Sequence, residues 1–139
     1  MKGLLPIIGL VLIFAFVGLM AYIRLAPSDP ARWHVMPDQM QDETLPGGAM
    51  RVIPGDEERF AELAAIMEAT PRTQHLAGTV EEGMVTYITR SLVFGFPDYT
   101  TARLQGDRIE IHSRLRFGQS DMGVNAARLE SWLAQLGQE

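Results

Sequence analysis

Residues 113–128 have the sequence S-R-L-R-F-G-Q-S-D-M-G-V-N-A-A-R, and they join a β-strand to an amphipathic helix. Gly118 and Gly123 bracket a tight connection, because glycine tolerates the backbone angles that turns require. Three short polar side chains in this stretch offer caps for the helix that follows: Ser120, Asp121 and Asn125. The stretch therefore predicts a strand, a turn and a helix, in that order.

The strand that leads into this turn alternates between apolar and charged side chains. Successive side chains of a strand point to opposite faces of a sheet. The residues expected to face the core are Ile109, Ile111, Ser113, Leu115 and Phe117. The residues expected to face away from it, toward solvent, are Arg108, Glu110, His112, Arg114 and Arg116. One face of the sheet is therefore predicted to be apolar and covered, and the other to be charged.

A two-residue hairpin loop is predicted at Gly106-Asp107, just before this strand. The register that follows pairs Leu104, Ala102 and Thr100 with Ile109, Ile111 and Ser113, and pairs Arg103 with Glu110 and Tyr99 with Arg114. A three-residue loop would instead set Leu104 against Arg108, so the two-residue register is favoured.

Two segments carry apolar residues at helical spacing, and both stripes are predicted to pack into the core. The first helix follows the acidic run 56–58, which suits a helix N-terminus, and it ends at Thr70-Pro71. Its stripe is Phe60, Leu63, Ala64 and Met67. The second helix closes the chain, and its stripe is Leu129, Trp132, Leu133 and Leu136. Gly137 is predicted to end it.

Further strands are predicted at residues 73–80, 84–93 and 98–105, and residues 50–53 could add another. Short loops join all neighbouring elements, which favours antiparallel pairing. We therefore expect an α+β fold for residues 50–139. It would be an antiparallel four- to five-stranded meander with two amphipathic helices on one face.

Residues 4–23 form an uncharged apolar run, and residues 1–23 are predicted to be a transmembrane anchor. Twenty residues of helix span about 30 Å, which matches the hydrocarbon core of a bilayer. A cleaved signal peptide is the rival interpretation, because Met1-Lys2 is a short basic leader. The length of the run and its closure by Arg24 favour an uncleaved single-pass anchor. The positive charges on its two sides are nearly balanced, and an amino terminus in the cytoplasm is expected because it is the commoner arrangement for a short leader.

Residues 24–49 are predicted to be an extended tether, because they contain four prolines and a Gly-Gly pair and show no helical or strand period. Trp33 and His34 stand out within it. They could form a docking motif for a partner or for the domain's own surface. Alternatively, Trp33 could lie among lipid headgroups, where tryptophan is enriched, and we favour this second interpretation.

The formal net charge of −5 argues against a nucleic-acid interface. The chain has no cysteine, which excludes disulfides, thiolate catalysis and cysteine-bound metals. His34, His75 and His112 are scattered and lack metal-ligand spacing, so neither a metal nor a cofactor is expected. No G-x-S-x-G motif, phosphate loop or dinucleotide fingerprint is present.

Phe96-Pro97-Asp98 together with residues 113–128 resembles the domain-of-unknown-function 1499 family. The most specific motif is R-x-G-x-S-D-x-G-x-N-x-x-R, matched by Arg116, Gly118, Ser120, Asp121, Gly123, Asn125 and Arg128. The resemblance covers roughly residues 50–136. It implies a small membrane-associated envelope protein, bacterial or plastid, with no assigned activity and with its domain facing outward.

Four arginines are predicted to lie near one end of the sheet, where they could bind phosphate, carboxylate or a lipid headgroup. The alternative, which we favour, is that Arg116 or Arg128 pairs with Asp98 or Asp121 and holds the turn on the sheet. The complete candidate cluster is Arg90, Asp98, Ser113, Arg114, Arg116, Ser120, Asp121, Asn125 and Arg128. No catalytic residue is assigned.

These observations predict a membrane-anchored, non-catalytic envelope protein that serves as an accessory or interaction module of a membrane complex. The expected location is the bacterial inner membrane, with the globular domain in the periplasm. A binder of an anionic small molecule or lipid headgroup is the alternative function, and a hydrolase is a remote one.

Overall fold

The computed structural model describes residues 2–137. Over these residues the chain forms four helices and six strands. In chain order they are α1 (Leu4–Leu25), α2 (Pro30–Trp33), β1 (Glu43–Leu45), β2 (Gly48–Pro54), α3 (Glu57–Glu68), β3 (Thr73–Thr79), β4 (Met84–Arg90), β5 (Pro97–Gln105), β6 (Arg108–Leu115) and α4 (Val124–Leu136).

The strands form one antiparallel sheet with the order β1-β2-β6-β5-β4-β3. The class is α+β as predicted, but the sheet has six strands rather than four or five. Strands β3 to β6 form the predicted meander, whereas α3 carries the chain from β2 at one side of the sheet to β3 at the other. The additional strand is β1, which has only three residues and lies in a segment without a strand period.

The β5–β6 hairpin has the predicted register. Leu104 lies opposite Ile109, Thr100 opposite Ser113, and Tyr99 opposite Arg114. Gly106 occupies the turn with a φ of 65°, a left-handed conformation that favours glycine. The pairing is set because any shift by one residue would turn Ile109 and its neighbours away from the core.

Helices α3 and α4 pack side by side on one face of the sheet and enclose the main core. The predicted stripes are buried there, with Phe60, Leu63 and Met67 from α3 facing Leu129 and Trp132 from α4. The indole Nε1 of Trp132 donates a hydrogen bond of 2.8 Å to Thr70 Oγ1, just beyond α3. The charge pattern and apolar spacing of both helices were therefore sufficient to predict their core faces.

Helix α1 projects away from this domain. Its side chains are exposed from Leu4 to Tyr22, apart from half-buried Gly9 and Met20, and Ile23 is its buried residue. The helix is long and apolar enough to span a membrane, and a signal sequence near an amino terminus has the same properties.

The segment after α1 lies on the second face of the sheet, opposite α3 and α4. We call residues 26–34 the strap; it contains α2, whose N-terminus is capped where Asp29 Oδ1 accepts from the Ala31 backbone N–H at 3.0 Å. The prediction that the second face is solvated is wrong for its centre, since Glu110 is buried and His112 and Arg114 are half-buried. In the sequence, a contact between this segment and the domain was one of two interpretations of Trp33 and His34, and it was not the one that we favoured.

Candidate functional site

The nine residues of the predicted cluster lie on both faces of the sheet and do not converge on one site. Five of them form a network on the helix-covered face: Asp98, Ser113, Asp121, Asn125 and Arg128. Three contact the chain that leaves α1: Arg90, Arg114 and Arg116. Ser120 is exposed in the turn, and its Oγ accepts from the Met122 backbone N–H.

Asn125 is the centre of the network on the helix-covered face. Its side chain is fully buried at the start of α4. Its Oδ1 accepts a hydrogen bond of 2.6 Å from Ser113 Oγ and one of 2.9 Å from the Arg128 guanidinium. Ser113 Oγ also lies 2.7 Å from Thr100 Oγ1, so the network joins α4 to both β5 and β6.

Asp121 fixes the turn before α4. Its Oδ2 accepts hydrogen bonds from the backbone N–H and the side-chain Nδ2 of Asn125, at 3.0 and 2.8 Å. Its Oδ1 accepts from the Gly123 backbone N–H at 2.9 Å. Three donors near the helix N-terminus are thereby satisfied, so the carboxylate acts as a helix cap.

Asp98 and Arg128 form an ion pair of 3.3 Å between β5 and α4, and their side chains are 13% and 14% exposed. Burial raises the pKa of Asp98 above its ordinary value, and the charge and hydrogen bonds of Arg128 counteract this only in part. The net shift of this pKa is upward because the carboxyl group is so well removed from water.

Arg114 holds the strap at the centre of the second face. It donates hydrogen bonds to the backbone carbonyl of Trp33 and to Thr101 Oγ1, the latter at 3.0 Å, and its guanidinium lies 5.6 Å from the centre of the indole ring. Burial lowers the pKa of Arg114 to about 10. The group stays charged at neutral pH, so a cation is enclosed between the sheet and the strap.

Arg116 binds the start of the strap, and Arg90 binds the last turn of α1. Arg116 donates to the Pro27 carbonyl at 3.0 Å and to the Tyr99 hydroxyl at 3.1 Å. Arg90 donates to the Ile23 carbonyl at 3.3 Å and to the Gly95 carbonyl at 3.0 Å. Three arginines of the predicted cluster therefore bind backbone carbonyls of residues 23–33.

Trp33 is 9% exposed, stacked on Tyr99 and packed near Ile88. Trp33 therefore docks on the domain's own surface, which was one of the two interpretations of the sequence. The interpretation that we favoured, with Trp33 among lipid headgroups, is wrong. The signal in the sequence was Asp29-Pro30, an N-cap followed by proline at the first helical position.

His34 continues this contact into the sheet. Its Nδ1 lies 2.7 Å from Thr86 Oγ1, which in turn lies 2.8 Å from Thr101 Oγ1. Burial is the main cause that lowers the pKa of His34 below its ordinary value. The imidazole is therefore favoured in its neutral form, as a hydrogen-bonding partner of the threonine pair.

His112 lies on β6 beside Arg114, and its Nδ1 is buried with no hydrogen-bond partner among the described residues. Burial lowers its pKa to about 4, and the positive charge of Arg114 adds to this effect. We had expected an ordinary surface histidine. The difference arises because the face that carries it is covered rather than solvated.

The arrangement is suited to holding chain segments together. Ser113 has hydrogen bonds to Thr100 and Asn125, neither of which is a base that could activate a nucleophile. Within residues 2–137 no group of three or more histidine, aspartate or glutamate side chains could hold a metal ion. The network around Asn125 and the arginine contacts to the strap both connect elements that are far apart in the sequence. Their role is therefore structural.

A family model described as protein of unknown function, DUF1499, matches residues 23–136. The matched span runs from the last turn of α1 to the end of α4, so it includes the strap as well as the sheet and its two helices. No curated protein matches the chain.

Proposed function

The chain belongs to the DUF1499 family of proteins of unknown function, and on this basis we propose that it is a non-catalytic, membrane-anchored envelope protein. In this proposal α1 is a single-pass anchor in the bacterial inner membrane. The sheet domain lies in the periplasm and serves as an interaction module of a membrane complex. Positive charges flank α1 almost equally, with Lys2 and the amino terminus on one side and Arg24 and Arg32 on the other. The orientation proposed here, with the amino terminus in the cytoplasm, is the common one for a short leader.

The observation that carries the proposal is the attachment of the strap to the sheet. Arg90, Arg114 and Arg116 donate hydrogen bonds to carbonyls spread over residues 23–33. A domain on a free tether would sample many distances and orientations relative to the bilayer. A domain bound directly to the end of its anchor has a defined height and orientation, which lowers the entropic cost of docking on a neighbouring membrane protein.

The use of the polar residues supports a binding role over a catalytic one. Asp98, Ser113 and Asn125 have hydrogen bonds within the domain, and Arg114 and Arg116 are bound to the strap. A catalytic site needs polar groups aimed at an open cavity, whereas these groups are directed at one another or at backbone carbonyls.

The proposal is tested with the full chain carrying a tag at its carboxyl end. After alkaline extraction of membranes, we expect the protein to stay in the pellet with an intact mass that includes residues 1–23. A soluble protein whose mass lacks this segment would contradict the anchor. Protease treatment of intact spheroplasts should degrade the domain if it is periplasmic, and protection would contradict that orientation.

The interaction module is tested by crosslinking in membranes followed by purification in mild detergent. We expect one membrane protein in constant stoichiometry with the chain. Trp33→Ala, which removes the stack on Tyr99, should stay in the membrane but recover less of this partner. Trp33→Phe, which keeps an aromatic ring there, is the matched control. A monomer without a protein partner would contradict the module.

A further inference from the structure

We propose that the end of the sheet beside α1 is a lipid-binding surface. Residues 92–94 enter the headgroup region, and the cavity next to them holds the phosphate of an anionic phospholipid. This inference rests on the proposed function in one respect, namely that α1 lies in the bilayer. It adds a second contact between the protein and the membrane and a ligand for it.

The loop between β4 and β5 exposes three adjacent apolar side chains, with Leu92 75%, Val93 68% and Phe94 45% exposed. The loop is closed by its own hydrogen bonds, since the Ser91 N–H donates to the Phe96 carbonyl at 3.0 Å and Ser91 Oγ accepts from the Phe96 N–H at 2.9 Å. The loop therefore presents these side chains on a defined backbone.

This loop lies against the last turn of α1. The Arg24 guanidinium donates a hydrogen bond of 2.8 Å to the Val93 carbonyl. Gly95, with a φ of 73°, passes so close that an added Cβ would lie 2.9 Å from the Arg24 side chain. If α1 spans the bilayer, the three exposed apolar residues are held at the level where the helix leaves it.

The other exposed apolar residues have the same distribution. Beyond α1, the large exposed hydrophobic residues of the described chain are Val35, Leu45, Leu92, Val93, Phe94, Met122 and Val124. All except Val35 lie in or beside the connections β1–β2, β4–β5 and β6–α4, which the antiparallel register places at one end of the sheet. That end also contacts α1, because the rings of Tyr22 and Phe117 meet edge to face with their centroids 5.9 Å apart.

The connections at the opposite end of the sheet are acidic. They include Glu81-Glu82 between β3 and β4, Asp107 between β5 and β6, and residues 56–58 at the start of α3. The distribution of apolar and acidic residues thus orients the domain, with its acidic end away from the anchor. Clustered exposed apolar residues at a single end indicate an interaction surface, and its continuity with α1 identifies the bilayer as the occupant.

A cavity of about 450 Å3 lies beside the loop and is lined by Arg24, Arg72 and Arg90. Leu92 and Ile88 add apolar surface to its lining, and Thr73 and Ser91 add hydroxyl groups. Ion pairs within residues 2–137 join acids to Arg51, Arg103, Arg108 and Arg128, and none involves these three arginines. Guanidinium groups without an acidic partner are suited to bind the phosphate of a lipid, and the apolar wall is suited to its glycerol end.

The backbone conformation of Arg72 is a second observation that indicates a ligand at this cavity. Arg72 has a φ of 57°, a left-handed conformation that is uncommon for a residue other than glycine. In this conformation its Nε donates to the Arg90 carbonyl at 3.0 Å, which holds its guanidinium at the cavity. Strained residues of this kind are concentrated at ligand-binding positions.

The membrane contact is tested with the full chain in nanodiscs of phosphatidylcholine with added phosphatidylglycerol. Because the chain has no cysteine, a single introduced thiol carries an environment-sensitive fluorophore at a known position. Val93→Cys reports on the loop, Phe14→Cys on the middle of α1, and Asp107→Cys on the far end of the sheet. We expect blue-shifted emission and quenching by brominated lipid at positions 93 and 14, and water-like emission at 107.

The labels at positions 93 and 14 distinguish a failure of the inference from a failure of the proposed function. Water-like emission at position 93 with lipid-like emission at 14 would overturn the lipid-binding surface and leave the anchor intact. Water-like emission at both positions would overturn the anchor and the inference together.

The cavity is tested by native mass spectrometry of the full chain released from mixed micelles of the same two lipids. Arg72→Gln should lower retained phosphatidylglycerol about fivefold, as expected for one basic residue near a lipid phosphate. Arg72→Lys should restore part of it, and Arg108→Gln at the far end should change nothing. Equal retention by Arg72→Gln and the parent chain would overturn the site, and displacement of the lipid by inorganic phosphate would reassign it to a free anion.

Discussion

The indole ring of Trp33 lies flat on the phenol ring of Tyr99, with centroids 3.9 Å apart and planes 6° from parallel. The Tyr99 hydroxyl also lies 2.6 Å from Ser28 Oγ and accepts from Arg116. One residue of β5 therefore contacts both ends of the strap. Tyr99 thus helps to hold the strap on the sheet, alongside the direct contacts of α1 made by Arg24 and Tyr22.

We predict that Trp33→Ala lowers the free energy of unfolding by about 3 kcal/mol, because the substitution removes a buried ring and exposes Tyr99 and Ile88. Urea unfolding of the detergent-solubilised full chain, followed by circular dichroism, measures this loss. Trp33→Phe should lose less than half as much. Hydrogen exchange of residues 26–34 should become faster in Trp33→Ala, and unchanged exchange there would contradict the role of the stack.

Arg114→Gln should destabilise the domain more than Arg116→Gln. Arg114 is the more enclosed of the two, bonded to the Trp33 carbonyl and to Thr101, so its loss leaves buried acceptors unsatisfied. We expect losses of about 2 and about 1 kcal/mol respectively, in the range measured for hydrogen bonds to charged groups. The same urea titration measures both, and the reverse order would contradict the assigned contacts.

Asn125→Ala should cost about 3 kcal/mol, because Ser113, Arg128 and Asp121 all lose a buried partner at once. Ser120→Ala is the matched control from the same turn, with an expected change within about 0.5 kcal/mol. Equilibrium unfolding of the two variants provides the comparison. A small effect of Asn125→Ala would show that α4 is held by apolar packing alone.

A double-mutant cycle should detect strong coupling between Asp98 and Arg128. Arg128→Met alone leaves a buried carboxyl without its partner and should cost about 3 kcal/mol. Asp98→Leu combined with Arg128→Met removes both charges and should recover about 2 kcal/mol of that loss. Additive effects of the two single substitutions would contradict a functional ion pair between β5 and α4.

The stability of the domain should fall as the pH is lowered from 6.5 to about 4 because of His112, whose pKa is lowered to about 4 in the folded protein. Between these two pH values the unfolded chain binds a proton at His112 and the folded chain does not. The stabilisation that comes from neutral His112 is therefore complete above the unfolded pKa and is lost as the pH falls through the window. We expect a loss of about 2 kcal/mol.

Comparison with His112→Phe isolates this contribution. The difference in unfolding free energy between the two proteins should change with pH only within the window set by His112. His34, whose pKa is also lowered, changes the stability with pH in the same direction as His112, and Asp98, whose pKa is raised, changes it in the opposite direction. Both groups are present in the parent and in the variant, so their effects cancel in the difference. Parallel pH profiles of the parent and the variant would contradict the assignment.

The sequence predicted those parts of the fold in which one local pattern has one structural solution. The alternation along β6 and the loop at Gly106-Asp107 were enough to establish the β5–β6 register. The stripes of α3 and α4 were equally clear, because a helix with one apolar side must bury it. In each case the burial of apolar side chains decides the outcome.

The sequence did not predict that the strap covers the second face, or that the candidate cluster is divided between the two faces of the sheet. The reason is the distance along the chain between the residues that meet. An arginine that faces water and an arginine that binds a backbone carbonyl occupy the same position in an alternating strand, as Arg108 and Arg114 do on β6. The acceptors for Arg114 and Arg116 belong to residues 33 and 27, more than eighty residues earlier in the chain. A four-residue helix such as α2 is too short to produce a period.

The position of the strap has a consequence for biosynthesis. A ribosome makes α1 and residues 26–34 before β5 and β6, which contact the strap through Tyr99 and Arg114. Strand β2 must also wait, since its neighbours in the sheet are β1 and the late strand β6. Until β6 has been made, the strap lacks Arg114 and Arg116, so the domain can align on α1 only after β6 has joined the sheet.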